Sequence, residues 1–177
     1  MRLFIAVNFD GQTKENLLLL QSRLRKLGSG SFSRPENLHL TLAFLGEVAP
    51  RRVAVICRLM DQITFSVLRL TFDHLGCFKR EGGDIWWAGL APNRALTDLQ
   101  EELSRRLTDA GFPLECRRFS PHITLARRVV LMEEPDKNKL LEAPFSTDAD
   151  SVSLMLSEKK DGKLTYTQQY AAYAQKD

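Results

Sequence analysis

The chain has 177 residues, 44% hydrophobic and 27% charged, which is long enough to bury a sizeable core and typical of an ordinary globular protein. Its formal charge of +3 suits an anionic ligand and excludes a polybasic, histone-like binder. Three cysteines, widely spaced and without a C-x-x-C pair (Cys57, Cys77 and Cys116), suggest neither a disulfide framework nor a zinc site, and a reducing cytoplasm is the expected compartment.

Residues 2–8 are apolar on both faces, which predicts a central strand. Asn8 and Asp10 end the run too early for a secretory leader or a membrane span, so no membrane association is expected. From 12 to 27, Leu17, Leu20, Leu24 and Leu27 recur at helical spacing, and Gly28 stops the helix. This leucine row is read as core. Residues 29–36, with Gly30, Ser31, Ser33 and Pro35, are expected to form a loop leading into a strand over 38–45 that carries His39-Leu40-Thr41-Leu42.

Pro50 suits the first position of a second helix. Residues 66–72 alternate as a strand, and 77–78 and 85–90 flank a hairpin tip of 79–84, where Gly82 and Gly83 permit positive φ. A third helix is expected over 93–110, with Leu96, Leu99, Leu103 and Leu107 inward. His122-Ile123-Thr124-Leu125 follows on its own strand, then a charged surface connection over 133–139. A final hairpin, 152–156 with 164–167, turns at Asp161-Gly162.

Two of the three histidines occupy the same His-x-Thr-Leu context, 83 positions apart. In a strand, residues two apart share a face, so each copy aims one imidazole and one hydroxyl at a common space while its leucines face a core. Imidazole titrates near neutrality, so one ring can hold a proton while the other accepts one. The Thr hydroxyls can hold anionic oxygens. Such a four-group cleft fits a phosphodiester, with His39 and His122 as acid–base pair, and calls for no metal or cofactor. Strand, leucine helix and His-x-Thr strand occur twice in the same order, Phe4 preceding His39 by 35 residues and Ile85 preceding His122 by 37, which predicts a duplicated β-α-β unit.

On these residues the sequence resembles the two-histidine phosphoesterases, and within them the RNA 2′,3′-cyclic phosphodiesterases, historically called 2′-5′ RNA ligases. The resemblance is carried by Arg2-Leu3-Phe4-Ile5-Ala6-Val7, by residues 37–46 and 121–127, and by Leu156-Ser157-Glu158 with Gly162 and Tyr166. It implies an α+β fold, one domain over 1–177, in which two pseudo-symmetric β-α-β lobes set antiparallel sheets across a central groove with helices outside. It further implies that His39 is the general acid for the ribose 3′-oxygen and His122 the base that activates water, giving a 2′-phosphate. The partner would be RNA or a nucleotide with a 2′,3′-cyclic phosphate end, the protein a monomer. Arg127 matches a family arginine expected to bind substrate, yet strict alternation puts it on the face opposite His122 and Thr124, and only a strand end or bulge would bring it round.

Several residues have plainer readings. Thr41 and Thr124 are also good β-formers. Lys79, Arg80, Arg117 and Arg118 read more readily as solvated surface than as phosphate ligands. Phe44 has the parity of Leu40 and Leu42 and is read as core, and His74 is left out for want of a partner. The competing function is an RNA- or nucleotide-phosphate-binding module without chemistry. Intact His in both motifs speaks against it, since Arg or Lys would serve binding better at neutral pH. Reversible 2′-5′ joining is allowed by microscopic reversibility, but no G-x-x-x-x-G-K motif supplies energy for it.

Overall fold

The computed structural model describes residues 1–176. β1 (Arg2–Asn8) is buried throughout its middle. Leu3, Ile5 and Val7 enter the main core, whereas Phe4 and Ala6 join Met155 and Tyr166 in a small cluster on the other face. That two-sided burial is why the run is apolar on both parities. α1 (Gly11–Arg25) starts on Asp10, whose carboxylate accepts from the Thr13 N–H.

The stretch expected to be a loop after α1 instead contains a strand, β2 (Gly28–Phe32). Glycine and serine are poor β-formers, so nothing local predicts it. It exists because β6 supplies the ladder, with Gly28 opposite Leu131 and Phe32 opposite Ala126. A Cβ on Gly28 would lie 2.1 Å from the Val130 carbonyl oxygen, so only glycine lets the two strands approach there. β3 (His39–Glu47) carries the first motif, and a Pro50–Arg52 turn leads into α2 (Val53–Asp61).

β4 (Leu68–Phe78) runs unbroken through Asp73 and His74, longer than the alternation over 66–72 suggests. β5 (Asp84–Leu90), α3 (Arg94–Asp109, capped by Asn93) and β6 (His122–Leu131) follow as expected. The connection beyond 133 holds a short helix, α4 (Lys137–Leu141), whose Leu140 and Leu141 are buried, and an unexpected strand, β7 (Phe145–Ala149). β8 (Ser151–Lys160) and β9 (Lys163–Tyr173) form the final hairpin, and Asp161 and Gly162 at its turn both have positive φ.

The strands form two antiparallel sheets, ordered β3-β1-β8-β9 and β2-β6-β5-β4-β7. Setting β3 against β6, β1 against β5, β8 against β4 and β9 against β7 superposes the two orders, with β2 as the one addition. The fold is thus α+β with two pseudo-symmetric lobes, but the halves are interlocked: β2 comes from the first half yet extends the sheet of the second, and β8–β9 close the sheet of the first. The close approach at Gly28 carries a stability consequence. Gly28→Ala should destabilise the fold by about 1–3 kcal/mol, because the obstruction is backbone that cannot move aside. Gly11→Ala, with nothing within 4 Å of the added carbon, should be neutral or stabilise by about 0.5 kcal/mol. Urea unfolding midpoints of the two variants test the contrast.

Candidate active site

His39 opens β3 and His122 opens β6, and both line one open groove of about 1140 Å³. Each ring is held in the same way. The Nδ1 of His39 lies 2.8 Å from the Asn37 carbonyl oxygen, and that of His122 lies 2.7 Å from the Ser120 carbonyl oxygen. A carbonyl only accepts, so Nδ1 carries the hydrogen in both rings and Nε2 is the free base of each neutral imidazole. The carbonyl two residues back therefore fixes both tautomer and ring angle.

The surroundings of the two rings differ. His39 is packed by Phe4 (ring centroids 4.8 Å apart) and by the edge of Tyr166 (5.1 Å), and its Nε2 lies 3.0 Å from the Thr41 hydroxyl. Burial pushes the His39 pKa down from 6.5 to about 4, against the opposing pull of the Asn37 carbonyl and with the neighbouring His122, Lys14 and Arg127 adding to the fall. His122 stands more open, flanked by Phe78 and Trp87. Trp87 of β5 packs on the His122 ring at 5.9 Å between centroids, and its neighbour Trp86 is buried.

Thr41 and Thr124 line the groove beside the histidines, and so does Arg127, despite its parity. A bulge explains the turn. Thr124 faces Trp87 and Ala126 faces Trp86, so two steps on β6 answer one on β5 and Leu125 is the extra residue. Leu125 and Ala126 are then both buried, and Arg127 emerges on the side of His122 and Thr124.

β3 repeats the device. Ala6 faces Thr41 and Ile5 faces Ala43, making Leu42 the extra residue. Phe44 is in consequence not core: it is 42% exposed, lines the groove, and lies under the Arg2 guanidinium at 5.2 Å. The parity argument failed at Phe44 because alternation was carried across a bulge. Its signal was legible in retrospect: both copies read Thr-Leu-Ala, two apolar residues side by side where alternation calls for one.

Arg2, Arg34, Arg128, Lys159 and Lys163 join Arg127 in the lining, against Glu47 and Glu158. Arg128 has φ 54 and donates to the Ser31 hydroxyl, tying β6 to β2. Arg34 and Asn37 donate to the Leu164 carbonyl, so the β8–β9 hairpin is latched to the approach of His39. Lys79, Arg80, Arg117 and Arg118 do not line the groove; Lys79 pairs with Asp84 and Arg117 with Glu115. Among the described residues no three His, Cys, Asp or Glu stand together as a metal-ligand group, and no helix is long and apolar enough to cross a membrane.

The model of the LigT-like phosphoesterase family matches the chain twice, over residues 7–87 and 89–165. The two matches meet inside β5, the first strand of the second β-α-β unit. An RNA 2′,3′-cyclic phosphodiesterase of Thermotoga maritima is 36% identical over 149 residues, 80% of this chain and 76% of that protein. One from Archaeoglobus fulgidus is 32% identical over 128 residues, 72% of each chain. The crystal structure of E. coli LigT complexed with 3′-AMP shares the fold at a TM-score of 0.84 with 26% identity, covering 99% of this chain and 98% of that one.

The neutral state of His39 is measurable. Its ring should stay unprotonated, with the hydrogen on Nδ1, down to about pH 4 in a histidine-resolved NMR titration. Because the folded ring takes up a proton only well below the unfolded one, folding stability should fall as pH drops from about 6.5 to about 4. His39→Gln should flatten that part of the curve in urea titrations run across the window.

Proposed function

The chain belongs to the LigT-like phosphoesterase family, and from that premise we propose that it is an RNA 2′,3′-cyclic phosphodiesterase, opening the cyclic end of an RNA or nucleotide to a 2′-phosphate in one domain. The observation that carries the proposal is the pair of imidazoles, each held at Nδ1 by the carbonyl two residues back, on the two strands of one cationic groove. The names of the relatives supply the reaction class, and the 3′-AMP held by the E. coli protein supports a nucleotide as occupant.

In the proposed turnover, water attacks phosphorus and gives its proton to Nε2 of His122. The bond to the ribose 3′-oxygen breaks, and that oxygen takes the proton from Nε2 of His39. Thr41, Thr124 and Arg127 hold the phosphoryl oxygens, whose charge grows on the way to the transition state. Phe44 offers an aromatic face for a base. With the 5′-hydroxyl of a second strand in place of water, the same transfers would link it to phosphorus as the bond to the 3′-oxygen breaks, its proton passing to His122 and the 3′-oxygen taking that of His39, which is how 2′-5′ ligation would arise. The groups suffice without a metal, and the free thiols Cys57, Cys77 and Cys116 suit a reducing cytoplasm.

A neutral His39 conflicts with the role of an acid only in the absence of substrate. The phosphodiester brings a negative charge to the same spot, which favours the imidazolium and offsets the cations that depress it. A module that merely binds phosphate gains little from an imidazole that is neutral at pH 7.

The dependence of kcat/KM on pH should be bell-shaped, with its low-pH limb near 4, the limb of the free His39 ring. The limb of kcat should lie higher, because bound phosphate raises that pKa. Replacing either histidine by alanine should slow cleavage of a 2′,3′-cyclic nucleotide on the order of 10²–10⁴-fold, and the double variant should be scarcely slower than the worse single one. An aryl phosphodiester whose leaving group needs no proton separates the roles: His39→Ala should recover on it and His122→Ala should not. Recovery of His122→Ala instead would reverse the assignment. Loss of activity in EDTA, restored by a divalent ion, would sink the metal-free mechanism, and absence of turnover with intact binding would favour the binding module.

A further inference from the structure

Both long helices break their leucine stripe with a glutamine at the same place. α1 reads Leu17, Leu20, Gln21, Leu24 and α3 reads Leu96, Leu99, Gln100, Leu103, so Leu-x-x-Leu-Gln-x-x-Leu occurs once in each half. Gln21 is 3% exposed. An amide placed on a buried stripe must find partners there or cost stability.

The partners are the two bulges. Nε2 of Gln21 donates to the Leu125 carbonyl and to the Ser33 carbonyl, each at 2.8 Å. Nε2 of Gln100 donates to the Leu42 carbonyl at 3.2 Å and to the Ser104 hydroxyl at 2.9 Å. Leu125 and Leu42 are the extra residues that follow Thr124 and Thr41. A bulge takes backbone groups out of the ladder, and a buried carbonyl so displaced needs another donor. The bonding is crossed: the helix of the first half grips β6, and the helix of the second half grips β3.

We infer that Gln21 and Gln100 are positioning residues for the groove, each fastening the bulge behind the opposite half's His-x-Thr and so turning Arg127 and Phe44 toward the substrate. The inference rests on the reading of the groove as the substrate site. It assigns no contact with substrate to either glutamine. Their effect passes through one carbonyl and the two residues after it. At Gln21 the hold is double, since the Leu125 carbonyl also accepts from the Ser33 N–H at 2.9 Å, so the amide ties the end of β2 to the bulge that aims Arg127.

Gln21→Met keeps length and packing while removing both donors. A crystal structure of the variant should show β6 in altered register beyond Leu125, with Arg127 out of the groove. On a 2′,3′-cyclic nucleotide its KM should rise roughly tenfold with a smaller change in kcat, the loss expected for one charge-assisted contact. Combining it with Arg127→Ala should add almost nothing to the effect of Arg127→Ala alone. A residue that only stabilises the fold would lower the melting temperature, leave KM in place, and show no such masking. Should Gln21→Met not fold, Gln100→Met, cycled with Phe44→Ala, applies the same test on the other wall. A bulge that persists with Arg127 or Phe44 still in the groove after the methionine substitution overturns the brace. If Arg127→Ala leaves KM unchanged, the substrate role of Arg127 fails, while the structure of the variant still decides the brace.

Discussion

A strand can present only every second residue to a groove, and this site is built under that constraint. Two residues per strand, a histidine and a threonine, come free with the pleat. A third on the same wall requires either the next alternate position or a break in register. Both motif strands take the break immediately after Thr-Leu, and Arg127 and Phe44 come forward together. Without it the next groove-facing residues would be Ala43 and Ala126, which offer neither charge nor aromatic surface. The bulge is thus what converts a pair of His-Thr teeth into a lined cleft.

The rest of the fold can be read as support for two bulged strands at the centre of a duplicated molecule. Each motif strand is flanked on one side by an apolar strand from its own half, β1 or β5. β6 is flanked on the other side by β2, donated by the first half, and the Arg128 to Ser31 bond joins them beside the groove. β8 and β9 close the first sheet, and their tip is latched to Arg34 and Asn37 just ahead of His39. Because elements of each half complete the sheet of the other, the two walls cannot drift apart without breaking ladders. That rigidity suits the proposed acid–base mechanism, in which both rings would serve one phosphorus at once.

Much of this was legible in the residues. The paired His-x-Thr-Leu, the leucine stripes and the Asp161-Gly162 turn each carry a local signal, and periodicity reads them well. What stayed hidden was non-local. β2 is Gly-Ser-Gly-Ser-Phe and β7 is Phe-Ser-Thr-Asp-Ala, runs too short and mixed to carry a strand signal of their own; each pairs with a neighbour that supplies the hydrogen bonds. Phe44 was misplaced because parity counting assumes an unbroken pleat. Arg127 escaped the same error only because the need for a bulge was recognised there. Gln21 and Gln100 were overlooked inside stripes read as plain core, although a polar residue at a buried stripe position is itself a signal that some backbone group lacks a partner.

The electrostatics of the groove give the arrangement its direction. Arg2, Arg34, Arg127, Arg128, Lys159 and Lys163 converge against Glu47 and Glu158 in the lining and Glu36, which pairs with Arg34 at 2.9 Å, so the cleft carries net positive charge that an anion would relieve. Burial, with Arg127 of this set and Lys14 nearby adding to it, lowers the His39 pKa and holds the ring neutral. Drawing in a phosphodiester and arming an acid are therefore a single event in the proposed mechanism: the charge that the cations attract is the charge that makes the imidazolium tolerable beside Phe4 and Tyr166. A more exposed histidine would hold its proton without substrate, but would also present that proton to water. Enclosure by two aromatic rings trades resting protonation for a proton held where the leaving oxygen arrives, and the cationic lining makes the trade workable by keeping phosphate, rather than solvent, as the partner of choice.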